Sequence, residues 1–212
     1  MTDRAAATPV IGVLISGRGS NLQAIIDAIA GGRLNARIGV VISNRADAYG
    51  LERAGRAGIE TIVMPHKLFG DRADYDRALA SELEARGVEL VCLAGFMRLL
   101  GPAFIDRFPN AVLNIHPSLL PAFPGLDAQR QAFEHGVKVS GVTVHFVTPD
   151  LDGGPIIRQE AVPVLDDDTA ESLASRILEA EHRVYPEAVQ LVLERNWSLD
   201  GRRVVSLPRQ PA

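Results

Sequence analysis

The chain has 212 residues, of which 47% are hydrophobic and 23% are charged, and its net charge at pH 7 is −4. This length supports one sizeable core, and this composition is that of a globular domain rather than a disordered, collagenous or coiled-coil chain. The negative charge provides no broad positive field for a polyanionic backbone or an acidic membrane, so we expect no nucleic-acid partner and no membrane association.

The chain ends and the cysteine content indicate the compartment. The N-terminal segment lacks a secretory apolar stretch, and no apolar run approaches the roughly 18 residues of a membrane span, which predicts a cytoplasmic protein. The single cysteine, Cys92, stands in an apolar run, which favours a buried, inert thiol. We expect a single domain over residues 1–212, with loose chain only at 1–8 and 206–212.

Short runs rich in Val and Ile alternate with amphipathic segments along the first half of the chain. This alternation predicts an α/β fold, in which a doubly wound, mostly parallel sheet carries helices on both faces. Ligands of such folds bind beyond the carboxyl ends of the strands. The predicted strands are 10–16, 38–43, 61–64, 90–94 and 111–115, and the predicted helices are 21–30, 50–58 and 75–86.

The second half of the chain has a different pattern. A Pro-rich loop over 116–125 precedes a short helix that ends by Gly136, and two further strands, 142–147 and 155–164, can pair antiparallel. The final helix opens with Asp168-Thr169-Ala170-Glu171, which is typical of a capping box. Pro186 is expected to kink or restart this helix.

A Gly-rich turn, Ser16-Gly17-Arg18-Gly19-Ser20-Asn21, lies between the first strand and the first helix. Free backbone N–H groups and the helix dipole favour an anion there, and Ser20 with Gln23 predicts a capping box. Leu22 replaces the third glycine of a dinucleotide fingerprint, and Asn44 replaces its acidic residue, which disfavours NAD. The turn is therefore either a cradle for one phosphate or a tight turn with a capped helix.

Two polar residues, Asn114 and His116, end the fifth strand. Alternation along a strand places both side chains on one face, where an amide donor and an imidazole that can carry a proton suit a developing oxyanion. The alternative is a polar strand end followed by a Pro-stiffened loop. Thr143 and His145 also share one strand face, as support for a site or as a solvent-facing edge.

The segment Leu151-Asp152-Gly153-Gly154-Pro155 has two interpretations. Asp-Gly is a common turn dipeptide, whereas a functional Asp152 would act as a general base or position a water next to the histidine.

Glu181 borders the apolar stripe of the last helix, where it either reaches a cationic substrate group or lies on a solvated edge. Spacing among the histidines predicts no metal site, and there is no G-x-S-x-G elbow. The histidines are His66, His116, His135, His145 and His182.

Five segments together resemble the phosphoribosylglycinamide formyltransferases, which are folate-dependent enzymes of purine biosynthesis. They are LISGRGSNLQAII, VCLAGFMRLL, LNIHPSLLPAFPG, VHFVTPDLDGGPII and EAEHRVYP. The resemblance implies a formyltransferase (Rossmann-like) fold, small-molecule substrates, and direct transfer of a formyl group from 10-formyltetrahydrofolate to the amine of glycinamide ribonucleotide. We expect a monomer or a homodimer.

The resemblance also implies a role for each matching residue. The catalytic trio is Asn114, His116 and Asp152. The ribonucleotide phosphate is held by Gly19, Ser20 and Asn21, and its amine is met by Glu181. The folate pocket is formed by Met97, Arg98, Leu99 and Leu100, with Arg72 and Asn114 contributing.

Some family members carry histidines where this chain has Asp127-Ala128-Gln129, and Arg18 stands where small or amide residues occur. Three rival interpretations remain. A formyltetrahydrofolate hydrolase carries an N-terminal regulatory domain, for which a first strand at Val10 leaves no room. A methionyl-tRNA formyltransferase has a further C-terminal domain and a basic surface. A non-catalytic nucleotide-binding module would not need Asn114, His116 and Asp152 together.

Overall fold

A computed structural model describes residues 7–207, and within them one sheet of nine strands runs through the molecule in the order β3-β2-β1-β4-β5-β6-β7-β9-β8. The strands are β1 (Val10–Ile15), β2 (Arg37–Ser43), β3 (Thr61–Val63), β4 (Leu90–Leu93), β5 (Val112–His116), β6 (Val139–Phe146), β7 (Ile156–Pro163), β8 (Trp197–Asp200) and β9 (Arg203–Ser206). The helices are α1 (Ser20–Ala30), α2 (Tyr49–Arg56), α3 (Arg72–Glu84), α4 (Pro102–Ile105), α5 (Ala128–Glu134) and α6 (Ala170–Leu193), and a 3₁₀ turn spans His66–Leu68.

The first five strands are parallel, whereas β6 pairs antiparallel with both β5 and β7. Strand order reverses between β1 and β4, so the loops that follow these two strands diverge and leave a crevice at their carboxyl ends. All six residues of β1 are buried, as expected for a parallel strand covered on both faces. The topology thus places the ends of β1, β4 and β5 side by side.

Two apolar clusters cover the two faces of the sheet. Ile11 and Val13 pack with α1 and α6 on one face, whereas Leu14 packs with α3 and α4 on the other. Because β1 alternates its side chains between the faces, one strand contributes to both clusters. The predicted α/β fold, with a doubly wound, mostly parallel sheet and helices on both faces, is confirmed.

The final helix begins with the predicted capping box, whereas the region beyond it differs from the prediction. The capping box of α6 is formed by Thr169 and Ser172, and the helix continues through the buried Pro186 without a break. Beyond it, β8 and β9 form a hairpin that the sequence analysis missed. Ser206 pairs with Trp197 in this hairpin, so the predicted loose tail does not begin at 206, and its remainder from 208 lies outside the described residues, as do residues 1–6.

Candidate active site

The Gly-rich turn follows β1 and is shaped by a close contact with α2. Gly19 has a φ of 69°, and a Cβ at this position would lie 2.6 Å from the Cα of Gly50, so only glycine fits. The Gly50 amide also donates to the Gly17 carbonyl at 3.0 Å. The predicted capping box of Ser20 and Gln23 is wrong: Gly19 is the N-cap residue, and α1 has no side-chain cap. The amides that open α1 therefore have no side-chain acceptor.

Arg53 of α2 holds this turn from outside, a role the sequence analysis missed. Its Nε donates to the Arg18 carbonyl at 2.9 Å, and its Nη1 donates to Gln23 Oε1 at 3.2 Å. The guanidinium also lies 5.0 Å from the ring centroid of Tyr49, where cation and ring attract each other. The Arg18 side chain itself is exposed.

A buried carboxyl lies beside the same turn. The Asn21 amide donates to Glu181 Oε2 at 2.9 Å, and both residues are buried, so Glu181 is not on a solvated helix edge. Burial raises the pKa of the Glu181 carboxyl to about 7, although the hydrogen bond from Asn21 works in the opposite direction. The oxygen of the Asn21 side-chain amide, Oδ1, is buried without a partner. This pair offers unused acceptors to a polar ligand.

The catalytic trio predicted from the resemblance comes together at the end of β5. His116 Nδ1 lies 3.4 Å from Asp152 Oδ2, and both side chains are more than nine-tenths buried. The second nitrogen, Nε2, donates to the Phe123 carbonyl at 2.8 Å. Both neighbours of the ring are acceptors, so a doubly protonated His116 would donate to each of them.

Asp152 occupies the loop between β6 and β7 in a left-handed conformation, with a φ of 49°. Its Oδ2 accepts the Gly125 amide at 2.8 Å. Burial by itself would raise the pKa of the Asp152 carboxyl, but the interactions with His145, the Gly125 amide and His116 outweigh it and hold the pKa below its ordinary value. A Cβ on Gly154 would lie 1.8 Å from the Phe146 carbonyl oxygen, so the motif needs its second glycine.

Thr143 and His145 are buried, which excludes a solvent-facing edge. Thr143 Oγ1 donates to the Ser118 carbonyl and accepts the Leu120 amide, and so fixes the loop after His116. His145 Nε2 lies 3.2 Å from Asn114 Nδ2. Both residues support the site.

The predicted folate residues lie on the loop after β4, next to the Gly-rich turn. Met97 and Leu99 are 66% and 60% exposed, whereas the Leu100 side chain is buried in the core, so only its backbone can face a ligand. Arg98 Nε is buried without a partner. The Met97 amide donates to Ser16 Oγ at 2.8 Å, which ties this loop to the end of β1.

Arg72 begins α3. Its Nε lies 3.8 Å from Asp76 Oδ2, and that carboxylate also accepts the Gly101 amide at 2.7 Å. The Arg72 side chain is about half exposed. Asp76 thus links the loop after β4 to the helix that carries Arg72.

The remaining predictions concern groups away from the site. Cys92 is fully buried, as predicted, and burial raises the pKa of its thiol to about 12, which disfavours the reactive thiolate. No three His, Cys, Asp or Glu residues between 7 and 207 are grouped to hold a metal ion, and no helix in that range is long and apolar enough to cross a membrane. The oligomeric state and the compartment stay predictions.

Comparison with known proteins shows the family of the chain. A family model described as formyl transferase matches residues 10–189. The chain is 48% identical over 190 residues to phosphoribosylglycinamide formyltransferase of Escherichia coli, an alignment that covers 90% of this chain and 87% of that protein. It is also 52% identical over 182 residues to the human trifunctional purine biosynthetic protein adenosine-3. That alignment covers 86% of this chain and 18% of the length of the human protein.

A solved structure shows the same fold. Glycinamide ribonucleotide transformylase 1 from Symbiobacterium toebii is 59% identical, with a TM-score of 0.93 and 96% of both chains covered. The family model and the Escherichia coli relative both extend over most of the sequence. The chain therefore belongs to the formyl transferase family, as one of its phosphoribosylglycinamide formyltransferases.

Proposed function

We propose that Asn114, His116 and Asp152 carry out the transfer of the formyl group from 10-formyltetrahydrofolate to the amine of glycinamide ribonucleotide. The observation that carries the proposal is the buried contact of His116 with Asp152, beside Asn114 at the carboxyl end of β5. The carboxyl end of β5 lies next to that of β4, which in turn lies next to that of β1. In this proposal the Gly-rich turn after β1 holds the ribonucleotide phosphate, and the loop after β4 holds the folate.

The transfer needs one bond formed and one bond broken. The amine nitrogen attacks the formyl carbon, and the electrons of the C=O bond move to its oxygen. The electron pair on the oxygen then re-forms the C=O bond, and the bond from the carbon to the folate nitrogen breaks. A proton passes from the amine to that nitrogen. No covalent bond to the enzyme is required.

Asn114 and a protonated His116 would donate hydrogen bonds to the formyl oxygen as its charge grows. In the structure His116 Nε2 donates to Phe123, so the loop over 116–125 must release or share that carbonyl before Nε2–H can reach a substrate. Asp152, with a pKa below its ordinary value, is ionised at neutral pH. It would hold the imidazolium and, through water, move the proton.

The loop after β4 fits a folate. Exposed Met97 and Leu99 offer an apolar surface to a flat ring, and the unpartnered Arg98 Nε offers a donor to its polar edge. Half-exposed Arg72 offers a cation to the carboxylates of the folate tail. The co-substrate supplies the formyl group, and these residues of the chain bind and orient the co-substrate.

Gly19→Ala is expected to raise the KM for the ribonucleotide by about 10-fold or more, because the displaced amides would lose hydrogen bonds to a charged phosphate. Gly32→Ala is the matched control. Gly32 has a φ of 68°, but a Cβ there meets nothing within 4 Å. The control should lower the melting temperature and leave KM unchanged. Steady-state kinetics decide, and an unchanged KM in Gly19→Ala would exclude the phosphate cradle.

Glu181→Gln is expected to stabilise the protein at high pH while weakening ribonucleotide binding. The pKa of Glu181 is raised from 4.5 to about 7 in the folded state. Between pH 4.5 and about 7 the folded state therefore binds more protons than the unfolded state, and the wild type loses stability as the pH rises through this range. The variant lacks this loss. Urea unfolding at pH 5 and pH 8 should show that the free energy of unfolding of Glu181→Gln rises relative to that of the wild type at the higher pH. Glu179→Gln, which changes an exposed residue of the same helix, should show no such rise. The KM for the ribonucleotide should rise about 10-fold or more.

The overall activity is tested with purified protein and 10-formyltetrahydrofolate, with and without glycinamide ribonucleotide. Release of deformylated folate only with the ribonucleotide, in amounts equal to the formylated product, is expected. Release without it would indicate a hydrolase. Folate binding with no release in either mixture would indicate a binding module.

A further inference from the structure

We propose that His145 is a positioning residue, which fixes the orientation of the Asn114 amide for formyl transfer. This inference rests on the role proposed for Asn114 and adds a fourth residue to the trio. It is carried by the hydrogen-bond partners of the two nitrogens of one buried ring.

The tautomer of His145 follows from its first partner. Its Nδ1 lies 2.9 Å from the carbonyl oxygen of Phe146. Because a carbonyl only accepts hydrogen bonds, Nδ1 carries the proton, and in the neutral ring Nε2 keeps a lone pair. That lone pair faces Asn114 Nδ2 at 3.2 Å. The amide therefore donates N–H to the ring.

This bond decides which end of the amide faces the ring. The oxygen and nitrogen of an Asn side chain have nearly the same shape, so sterics alone do not separate the two orientations. Turned over, Asn114 would direct its oxygen at the lone pair of His145, which repels it. With Nδ2 held on the ring side, its second N–H remains for the formyl oxygen, and its direction is set before the substrate arrives.

The strands make this contact rigid. Asn114 and His145 stand directly opposite each other in the antiparallel pairing of β5 with β6. The pairing of β6 with β7 shifts register between Val144 and His145, and such an irregularity re-aims side chains beside an active site. His145 is 2% exposed, so bulk water does not compete for its nitrogens. Its Nε2 lies 3.7 Å from Asp152 Oδ1, which is beyond hydrogen-bond distance, so the hydrogen-bond partner of Nε2 is Asn114 at 3.2 Å.

His145→Phe keeps a ring and removes the acceptor, and we expect it to lower kcat by about 10- to 100-fold, the range for a misplaced group, with both KM values nearly unchanged. His145→Gln should recover most of this loss, because its Oε1 can accept from Asn114. Ser140→Ala, a buried polar substitution on the same strand, should leave kcat unchanged. Equal kcat in His145→Phe and the wild type, or equal losses in His145→Phe and His145→Gln, would overturn the inference. If the Phe variant does not fold, His145→Leu replaces it.

A double-mutant cycle tests this inference separately from the role proposed for Asn114. In an Asn114→Ala background, His145→Phe should change kcat by less than about two-fold, because the group it orients is gone. Losses that multiply would show that His145 does not act through Asn114, and would overturn the inference. If Asn114→Ala alone kept full kcat, the proposed role of Asn114 would fail instead.

Discussion

Replacing Asp152 with Asn should lower kcat by about 100- to 10,000-fold, the range for losing a positioned acid or base, while both substrates still bind. The amide has the shape of the carboxylate, and its oxygen can still accept the Gly125 amide that Asp152 Oδ2 accepts at 2.8 Å. The loop should therefore keep its conformation. What is lost is the negative charge that faces His116 at 3.4 Å.

Binding and turnover must be measured separately for this variant. Calorimetric titration with each substrate should give affinities near those of the wild type, and the formylated ribonucleotide should form at the reduced rate. Asp150→Asn is the matched control, because it removes the same charge from an exposed position in the same loop. Near-normal turnover by Asp152→Asn would end the proposed role of the carboxylate.

The Gly-rich turn shows why the sequence predicted the place of a site but not its geometry. A strand, a Gly-rich turn and a helix are local features, and their order left two interpretations, a cradle for one phosphate or a tight turn with a capped helix. The capping box of Ser20 and Gln23 was wrong because Gly19 packs against Gly50 of α2, and that contact sets the backbone at the helix start. A tertiary contact overrode a local preference, and no local pattern contains it.

Two supporting contacts were hidden for a similar reason, although the sequence already offered His145 as support for a site. Arg53 reaches the turn from another helix, and His145 meets Asn114 only in the register of β5 with β6. The two interpretations of the segment around Asp152 do not exclude each other. The segment forms a tight turn, in which the Gly153 amide donates to the Asp150 carbonyl, and it also places a buried carboxylate beside His116. A turn dipeptide does not argue against a site residue.

The C-terminal hairpin is a different kind of miss, because the sequence carried a signal for it. Asp-Gly is a favoured hairpin dipeptide, and Asp200-Gly201 stands at the turn, where Asp200 pairs with Arg203. Apolar residues alternate before it, at Trp197 and Leu199, and Val204 and Val205 follow it. The strands are short and half-exposed, so their periodicity is weak over four residues each. Turn chemistry would have been the more reliable guide there.

Asn114→Ala should lower kcat by about 100- to 1,000-fold, the cost of removing one oxyanion donor. Both KM values should change little, since the donor acts on charge that exists only during the transfer. The loss should be similar across the pH range in which the enzyme is stable, because an amide does not titrate. Single-turnover formation of the formylated ribonucleotide measures the step directly. A loss confined to the KM for folate would instead mean that Asn114 holds the co-substrate and leaves the oxyanion to His116 alone.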